Sequence, residues 1–319
     1  MADYGRELEF GISFEPVADP PDFAARIAKA ADRAGLDLIG IQDHPYQRRF
    51  LDTWTLISTL VPQTDRIRFF PDVANLPLRP PAMLAKSAAS LDALSGGRIE
   101  IGLGAGAFWD AIVGMGGPRR TPGEAVRATE EAIRVMRLVW SEERSLRFEG
   151  EFYALKGMKP GPRPAHDIGI WLGAAGPRML RLTGRLANGW VPSLFWAPPE
   201  RLPGLHEQID AGADEAGREP REIQRIYNLS GNIGAEGEGI LQGPPEMWVE
   251  TLSGFALGHG MDTFIFWPSS DHERQVSLFA AEVVPRVREA VHRARSGVRE
   301  QHRSPEDNDQ RKPEPENYG

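Results

Sequence analysis

The sequence contains no cysteine, which excludes disulfides, iron–sulfur clusters and zinc sites built from thiolates. It also contains no apolar run that approaches the ~20 residues of a membrane-spanning helix, so we expect no contact with a membrane. The first ten residues, MADYGRELEF, are charged and have no apolar stretch of the kind found in secretory signal peptides. Together these absences predict a protein of the reducing cytoplasm.

An excess of positive charge is also missing, because the formal net charge is −8 and acidic and basic residues are interspersed. This pattern argues against a nucleic-acid-binding surface. With 319 residues, of which 41% are hydrophobic, the chain is long enough for one large α/β domain or two smaller ones. Residues 296–319 have too few apolar side chains to fold, so we predict a disordered polar tail after a globular domain at residues 1–295.

Short apolar runs alternate with longer helical patterns along residues 8–295. In the first helical pattern Phe23, Ile27 and Ala31 recur at positions i, i+4 and i+8. The alternation predicts eight strands and eight helices in a single (β/α)8 TIM barrel rather than an open sheet. The predicted strands are Phe10–Phe14, Leu38–Ile41, Ile67–Phe70, Ile99–Leu103, Ile168–Leu172, Trp190–Leu194, Ile226–Leu229 and Thr263–Trp267.

Two long segments interrupt this alternation. Both follow predicted strand ends, on the face where barrel enzymes carry their functional loops. An insertion after strand 4 covers residues 107–165 and is predicted to contain a loop, a long helix and a hairpin at Leu146–Leu155. A glycine-rich loop after strand 7 covers residues 231–246.

Strand 2 ends at Gln42-Asp43-His44, and this end holds the best catalytic candidates because barrel enzymes place reactive groups there. An imidazole exchanges protons near neutral pH, and a positioned general acid or base contributes ~10²–10⁴ in rate. The Asp43 carboxylate beside it is expected to fix the tautomer or orientation of His44. A purely structural role, in which His44 ends the strand with a backbone hydrogen bond, is the alternative.

Glycines follow strand 4 in residues 102–107, GLGAGA. They leave the backbone bare, so that a flat ring system or a phosphate can approach without meeting a Cβ atom. The segment also matches the dinucleotide pattern G-x-G-x-x-G/A, but that pattern requires a helix that starts within the glycines. Since no helix is predicted before Thr121, we reject a Rossmann site and predict cofactor binding at Gly104, Ala105 and Gly106.

A second turn of small residues, Gly173–Arg178, follows strand 5 and leads into a helix at Pro177. Proline suits the first turn of a helix, and the free backbone amides of that turn attract an anion. Arg178 adds positive charge, so Ala175, Gly176, Pro177 and Arg178 form a candidate phosphate site. An ordinary βα turn whose glycines serve only its geometry explains the same residues equally well.

Aromatic side chains, Phe195 and Trp196 among them, collect at the predicted strand ends and indicate an apolar pocket for a ring system. The histidines other than His44 have no metal-ligand spacing and are interpreted as surface or loop residues, so no metal site is predicted. The candidates for a substrate pocket are Phe14, Tyr46, Phe108, Trp109, Asn232 and Trp267.

Residues 79–106, together with Ala175–Arg178 and Ala187–Trp190, resemble the bacterial-luciferase-like superfamily. The similarity covers most of residues 8–295 and implies a (β/α)8-barrel oxidoreductase that uses reduced FMN or the deazaflavin coenzyme F420. The pair Asp43-His44 resembles the F420-dependent branch, which makes F420 the first choice of cofactor. The resemblance also implies that His44 lies against the reactive face of the cofactor and that residues 175–178 hold its phosphate.

The resemblance implies further features of the site and of its partners. The step Asp72-Val73 corresponds to a cis peptide bond, not preceding proline, that lies behind the flavin ring, so both residues are expected to contact the cofactor. An acidic residue sometimes follows the strand-4 glycines in relatives, and Asp110 is the candidate for that proton donor. The substrate is expected to be a small organic molecule, and a homodimer is typical of the family.

Three other functions compete with an F420-dependent oxidoreductase that uses His44 as acid or base. A monooxygenase that uses reduced FMN and oxygen is the main alternative. A non-catalytic flavin-binding relative is a weaker one. A barrel glycosidase is also weak, because it needs two carboxylates ~5–9.5 Å apart at strand ends, whereas strands 4 and 7 end in glycine and asparagine.

Overall fold

The computed structural model describes residues 3–234 and 239–301. Its strands are β1 (Glu9–Phe14), β2 (Leu38–Ile41), β3 (Arg68–Pro71), β4 (Ala74–Asn75), β5 (Ile101–Gly104), β6 (Leu146–Glu149), β7 (Ala154–Met158), β8 (Ile170–Gly173), β9 (Gly189–Trp190), β10 (Gln224–Ile233), β11 (Gln242–Gly243) and β12 (Thr263–Pro268). Its helices are α1 (Phe23–Ala34), α2 (Thr53–Leu60), α3 (Pro81–Ser95), α4 (Trp109–Gly114), α5 (Pro122–Val139), α6 (Pro177–Leu186), α7 (Leu202–Glu215), α8 (Pro245–His259), α9 (His272–Leu278) and α10 (Val284–Gln301).

The central sheet is a parallel barrel with the strand order β3-β2-β1-β12-β10-β9-β8-β5-β4. Strands β3 and β4 are separated only by Asp72 and Val73, so they form the two halves of one barrel position. A parallel bridge between Phe69 and Ile99 joins this position to the chain that leads into β5 and closes the ring. The nine strands therefore occupy eight positions, and the predicted (β/α)8 barrel is confirmed.

Local sequence explains where the helices begin and end. Helix α3 ends at Gly96, whose φ of 72° lies in the left-handed region that favours glycine. Helix α5 begins with a capping box, in which the Thr121 side chain accepts from the Glu124 backbone amide and the Glu124 carboxylate accepts from the Thr121 amide. These helix ends fix where the chain leaves each helix and enters the next strand of the barrel.

Two apolar clusters stabilise the barrel, because alternate residues of each strand face its interior and its helices. The larger cluster lies between strands and helices. Val73 and Trp267 pack against the smaller cluster, which fills the interior, and so form its upper layer at the C-terminal mouth of the barrel. The interior residues are Leu38, Phe70, Trp171, Val191, Ile226 and Ile265.

Phe14, predicted as part of the substrate pocket, belongs to the outer cluster instead. It is only 1% exposed and packs edge-on against Phe23 of α1, with ring centroids 5.8 Å apart. The two-residue alternation of β1 turns its side chain towards the helices. The prediction that Phe14 lines the substrate pocket is therefore wrong, although Phe14 does lie at the end of a barrel strand.

The predicted insertion after strand 4 contains α4, α5 and the antiparallel hairpin β6–β7. The predicted glycine-rich loop is described up to Gly234 and from Gly239 onwards, while residues 235–238 lie outside the described residues. Helix α10 continues to Gln301, past the predicted domain end at residue 295, and residues 302–319 of the predicted tail lie outside the described residues. None of the helices described is long and apolar enough to cross a membrane.

A charged network lies at the N-terminal end of the barrel, opposite the mouth. His166, interpreted as a surface or loop residue, has its Nδ1 2.9 Å from Asp92 Oδ1 and its Nε2 3.4 Å from Glu100 Oε1. Glu100 Oε1 also accepts a hydrogen bond from Arg68 Nη1 at 2.8 Å. The hydrogen bond with Glu100 raises the pKa of His166 to about 9. The ring is therefore charged at neutral pH and joins the segment before β8 to α3.

Replacing His166 with glutamine is expected to lower the free energy of unfolding by ~1–2 kcal/mol at pH 7, a value discounted for solvent screening. Because the folded-state pKa lies above the ordinary value of 6.5, the stabilisation is complete below pH 6.5 and is lost as the pH rises through about 9. Urea unfolding of both proteins from pH 6 to pH 10 measures this loss. The exposed His292→Gln is the control. A stability difference between His166→Gln and the wild type that does not change with pH would contradict the network.

Candidate active site

The strand ends at the mouth bring the predicted site segments together. Since the barrel strands are parallel, the chain after β2 and the chain after β8 emerge on the same face. The loops after β2 and β5 touch, with the rings of His44 and Phe108 centred 5.3 Å apart. The first turn of α5 also lies close to the turn that leads into α6, because a Cβ atom on Gly123 would lie 3.7 Å from Arg178 Nη1.

The His44 imidazole lies in an aromatic cluster. It stacks on Tyr46 with centroids 5.4 Å apart and an interplanar angle of 18°, and Phe108 meets it edge-on. Burial lowers the pKa of His44, although the negative charge of Asp43 partly opposes this effect. Burial also raises the pKa of Tyr46 to about 12. At pH 7 the site therefore holds a neutral imidazole, able to accept a proton, beside a phenol.

The Asp43 carboxylate contacts Arg79 and not the His44 ring. Its Oδ2 accepts from Arg79 Nε at 2.6 Å and from the Asn75 amide at 2.9 Å, and its Oδ1 accepts from Arg79 Nη2 at 2.6 Å. Asp43 is 1% exposed, so this bidentate pair balances a buried charge. The predicted contact with His44 is thus absent from the described residues. Asp43 instead anchors the ends of β2 and β4.

The peptide bond Asp72-Val73 is cis, as the resemblance implied. The Val73 side chain lies across the neighbouring strands, since a Cβ atom on Gly104 would come within 2.7 Å of Val73 Cγ2 and one on Gly173 within 3.1 Å. The glycines of β5 and β8 therefore make room for Val73, whereas the sequence predicted that Gly104 leaves its backbone bare for the cofactor. We call the surface formed by Val73 over these two glycines the floor of the mouth.

The loop after β5 folds back on itself beside the floor. A Cβ atom on Gly106 would lie 2.8 Å from Trp109 Cη2 and 2.9 Å from Pro77 Cγ. Only a glycine lets the Trp109 ring pack so closely at this position. Trp109 and Ala105 are half-buried, while the Phe108 ring is 57% exposed at the rim. Of these residues Phe108 is the one placed to meet a molecule entering the mouth beside His44.

Three side chains meet at the mouth, one from the step between β3 and β4, one from β10 and one from β12. Asp72 Oδ1 accepts from Asn228 Nδ2 at 3.1 Å, and Asn228 Oδ1 accepts from Trp267 Nε1 at 3.0 Å. Asp72 Oδ2 is buried and has no hydrogen-bond partner among the described residues. Burial raises the pKa of Asp72 to about 7. The sequence analysis missed Asn228, although an amide inside the apolar run Ile226–Leu229 was a usable signal.

The opposite side of the mouth, here called the lip, has mostly aromatic, aliphatic and neutral polar residues, with Asp271 and His272 at its end. Asn232 Oδ1 accepts from the Ser269 amide at 3.3 Å, which joins the ends of β10 and β12. Asp110, the candidate second proton donor, is exposed and pairs with Arg119, so it does not serve the mouth. The described lip segments contain neither lysine nor arginine and are residues 192–196, 230–234, 239–243 and 267–272.

The turn after β8 presents the start of α6 to solvent. Trp190 Nε1 donates to the Ala174 carbonyl at 2.9 Å and holds the end of β8 in place. Helix α6 begins at Pro177 behind Gly176, and residues 175–178 are exposed. The Arg178 guanidinium makes no hydrogen bond or ion pair within the described part of the chain. An exposed helix N-terminus with an available arginine fits a phosphate group.

Comparison with known proteins agrees with this architecture. The chain is 34% identical over 218 residues to 5,10-methylenetetrahydromethanopterin reductase of Methanolobus tindarius, a match that covers 68% of this chain and only 63% of that protein. It is 29% identical over 234 residues to F420-dependent glucose-6-phosphate dehydrogenase of Kineococcus radiotolerans, covering 69% of this chain and 68% of that protein.

The structure resembles that of an F420-dependent secondary alcohol dehydrogenase in complex with an F420–acetone adduct. The TM-score is 0.80 at 18% identity, and the match covers 88% of this chain and 99% of that one. The sequence profile of the luciferase-like monooxygenase family matches residues 8–235, which include the mouth residues from His44 to Asn232. The chain therefore belongs to the luciferase-like monooxygenase family.

Proposed function

We propose that the protein is an F420-dependent oxidoreductase that transfers a hydride between the deazaflavin and a small, uncharged organic substrate. The observation that carries this proposal is the common mouth of the barrel. A neutral, partly buried His44, the Val73 floor and an exposed phosphate turn all open onto it. The F420-dependent activities named for the dehydrogenase relative and for the structural neighbour support the same choice of cofactor.

The residues of the mouth fit a flat cofactor that carries a phosphate. A side chain at Gly104 or Gly173 would collide with Val73, so the floor has no projection other than Val73 itself. Val73 would support the ring, Ala105 and Gly106 would line its edge, and Ala175–Arg178 would bind the phosphate. When bound, F420 supplies the hydride acceptor or donor, and the protein supplies position and exclusion of water.

His44 carries the proton that accompanies the hydride. In the oxidative direction the neutral imidazole would take the hydroxyl proton of an alcohol as the C=O bond forms, while bound F420 would supply the acceptor for the hydride of the C–H bond. In the reductive direction the imidazolium returns this proton to the carbonyl oxygen. The low pKa of His44 favours its role as a base at neutral pH.

The lip indicates which substrates the mouth accepts. A phosphorylated sugar needs cationic side chains to replace its water, and the lip segments contain no lysine or arginine. They provide Trp267, Ser269 and Asn232 instead, while Phe108 lies across the mouth. This lining suits an apolar molecule with one hydroxyl or carbonyl group.

A monooxygenase that uses reduced FMN and oxygen is the alternative proposal, because the same floor and phosphate turn accept FMN. It differs in one measurable respect, which is oxygen consumption. From composition and family resemblance we further propose that the protein is cytoplasmic and homodimeric.

Fluorescence titration of the protein with F420 and with FMN tests the proposed cofactor. We expect tight binding of F420 and a Kd about ten- to a hundredfold higher for Arg178→Ala, since a charge-assisted hydrogen bond contributes about 1.5–3 kcal/mol. Arg181→Ala is the matched control, because Arg181 lies on the same helix but pairs with Glu215 at 2.8 Å. Preference for FMN with consumption of oxygen would favour the monooxygenase instead. Equal affinities of Arg178→Ala and Arg181→Ala for F420 would show that the phosphate does not bind at this turn.

A further inference from the structure

We infer that Asp72 is a proton-linked positioning residue, whose carboxyl group must be neutral when the cofactor ring covers the floor of the mouth. The inference rests on the proposed function and deepens it. Neither the comparisons nor the family resemblance gives this side chain a proton.

The position of the carboxyl group is unusual for an aspartate. Asp72 is only 8% exposed. A Cβ atom on Gly40 of β2 would lie 2.9 Å from Asp72 Oδ2, so the carboxyl group occupies the space that a side chain at position 40 would fill. Its Oδ1 accepts from Asn228, and its Oδ2 has no partner among the described residues. Buried polar atoms in folded proteins are nearly always paired, so this oxygen requires an explanation.

The charges around the carboxyl group do not stabilise its ionised form. Within the described residues Asp72 makes no ion pair, and Asn228 and Trp267 are neutral. The ionisable groups at the ends of the neighbouring strands are each accounted for. Asp43 of β2 is paired with Arg79, His44 after β2 is neutral, and Glu15 after β1 lies 3.8 Å from Arg49. A neutral carboxyl group, with the proton on Oδ2, therefore fits the site better than a carboxylate, and burial raises the pKa of Asp72 accordingly to about 7.

In the proposed binding mode the ring would rest on Val73, the residue that follows Asp72, and would close the mouth above Asp72 and Asn228. Asp72 is 8% exposed, so a ring there would remove the solvent that still reaches this residue. Loss of that solvent would disfavour the ionised form further. Binding of the cofactor must therefore be accompanied by uptake of a proton when the pH is high enough for the free protein to have lost it.

The proton linkage is measured as the Kd for F420 between pH 5.5 and pH 9, in the wild type and in Asp72→Asn. Relative to Asp72→Asn, the wild-type Kd is expected to be constant below about pH 6 and to rise above about pH 7 with a slope of up to tenfold per pH unit. Asp110→Asn, the same change at an exposed residue of the mouth side, is the control and should follow the wild type. Ionisation of the cofactor itself changes the Kd of the wild type and of Asp72→Asn equally, so the ratio of the two Kd values reports the ionisation of Asp72 alone. A ratio that does not change with pH would overturn the inference.

A second measurement needs no cofactor and separates the two proposals. A carboxyl group whose folded-state pKa is about 7 rather than 3.8 holds its proton longer in the folded protein. The Tm of the wild type should therefore fall relative to that of Asp72→Asn as the pH rises from about 4 to 7, and run parallel above that. A constant Tm difference would overturn the inference even where F420 binds. Failure of the wild type to bind F420, with the Tm difference as expected, would overturn the proposed function instead. Asp72→Ser serves as the neutral variant if Asp72→Asn does not fold.

Discussion

Replacement of His44 with alanine is expected to lower kcat for alcohol oxidation by ~10²–10⁴-fold, the usual contribution of a positioned general base. The Kd for F420 should change little, because the Val73 floor and the turn at Ala175–Arg178 are left intact. The loss of kcat is expected because no other described side chain at the mouth both is a neutral proton acceptor and contacts the rim residue Phe108. The rate is measured from the absorbance of F420 with a set of secondary alcohols.

Tyr46→Phe is the matched control for His44→Ala. It keeps the ring that stacks on the imidazole and removes only a phenol whose pKa is raised to about 12. The variant should retain most of the wild-type rate. The wild-type rate itself should fall at acidic pH, below the ordinary histidine pKa of 6.5, as the imidazole becomes protonated. Unchanged turnover by His44→Ala would remove His44 from the mechanism.

Replacement of Arg79 with alanine is expected to lower the free energy of unfolding by ~3–5 kcal/mol, because it leaves a buried carboxylate without its partner. Asp43 is 1% exposed, and Arg79 provides two of its three hydrogen bonds. Arg79 also donates to Asp52 at the start of α2, so the variant loosens the chain after β2 as well. Urea unfolding of the wild type and the variant measures the loss.

Two further variants separate the buried charge from the loss of an arginine side chain. Arg119→Ala removes an exposed partner of Asp110 and should cost less than about 1 kcal/mol, as exposed ion pairs do. The double variant Asp43→Asn/Arg79→Ala should be more stable than Arg79→Ala alone, because an amide is cheaper to bury without a partner than a carboxylate. A double variant as unstable as Arg79→Ala would show that the arginine contributes packing rather than charge balance.

The features that follow from neighbouring residues were predictable from the sequence. The strand and helix rhythm, the stop of α3 at Gly96 and the hairpin β6–β7 all depend on patterns within a few positions. The direction of a side chain at a strand end depends on the register of the strand. For this reason the sequence predicts Phe14 in the mouth, whereas the structure has it in the outer core. A pattern of strand ends locates a site more reliably than it orients the side chains within it.

The contacts that define the chemistry of the site were not predictable, because they join residues far apart in the chain. Asp43 and Arg79 are 36 positions apart, and Asp72 and Asn228 are 156 apart. Nothing local marks either partner for the other. The contact between Gly104 and Val73 was not predictable for the same reason, since Val73 lies between β3 and β4, about 30 positions earlier in the chain. Folding creates these pairs, and only the folded barrel reveals them.

The way in which Val73 rests over glycines has an evolutionary consequence. In the proposed binding mode, a single side chain of the inner barrel would set the height at which a planar coenzyme lies, whereas residues at the ends of β9, β10 and β12 would decide what can approach it from above. Mutations in those outer segments would then exchange one substrate for another without altering the separation between the coenzyme and the histidine. A larger residue in place of the valine would alter that separation for every substrate at once.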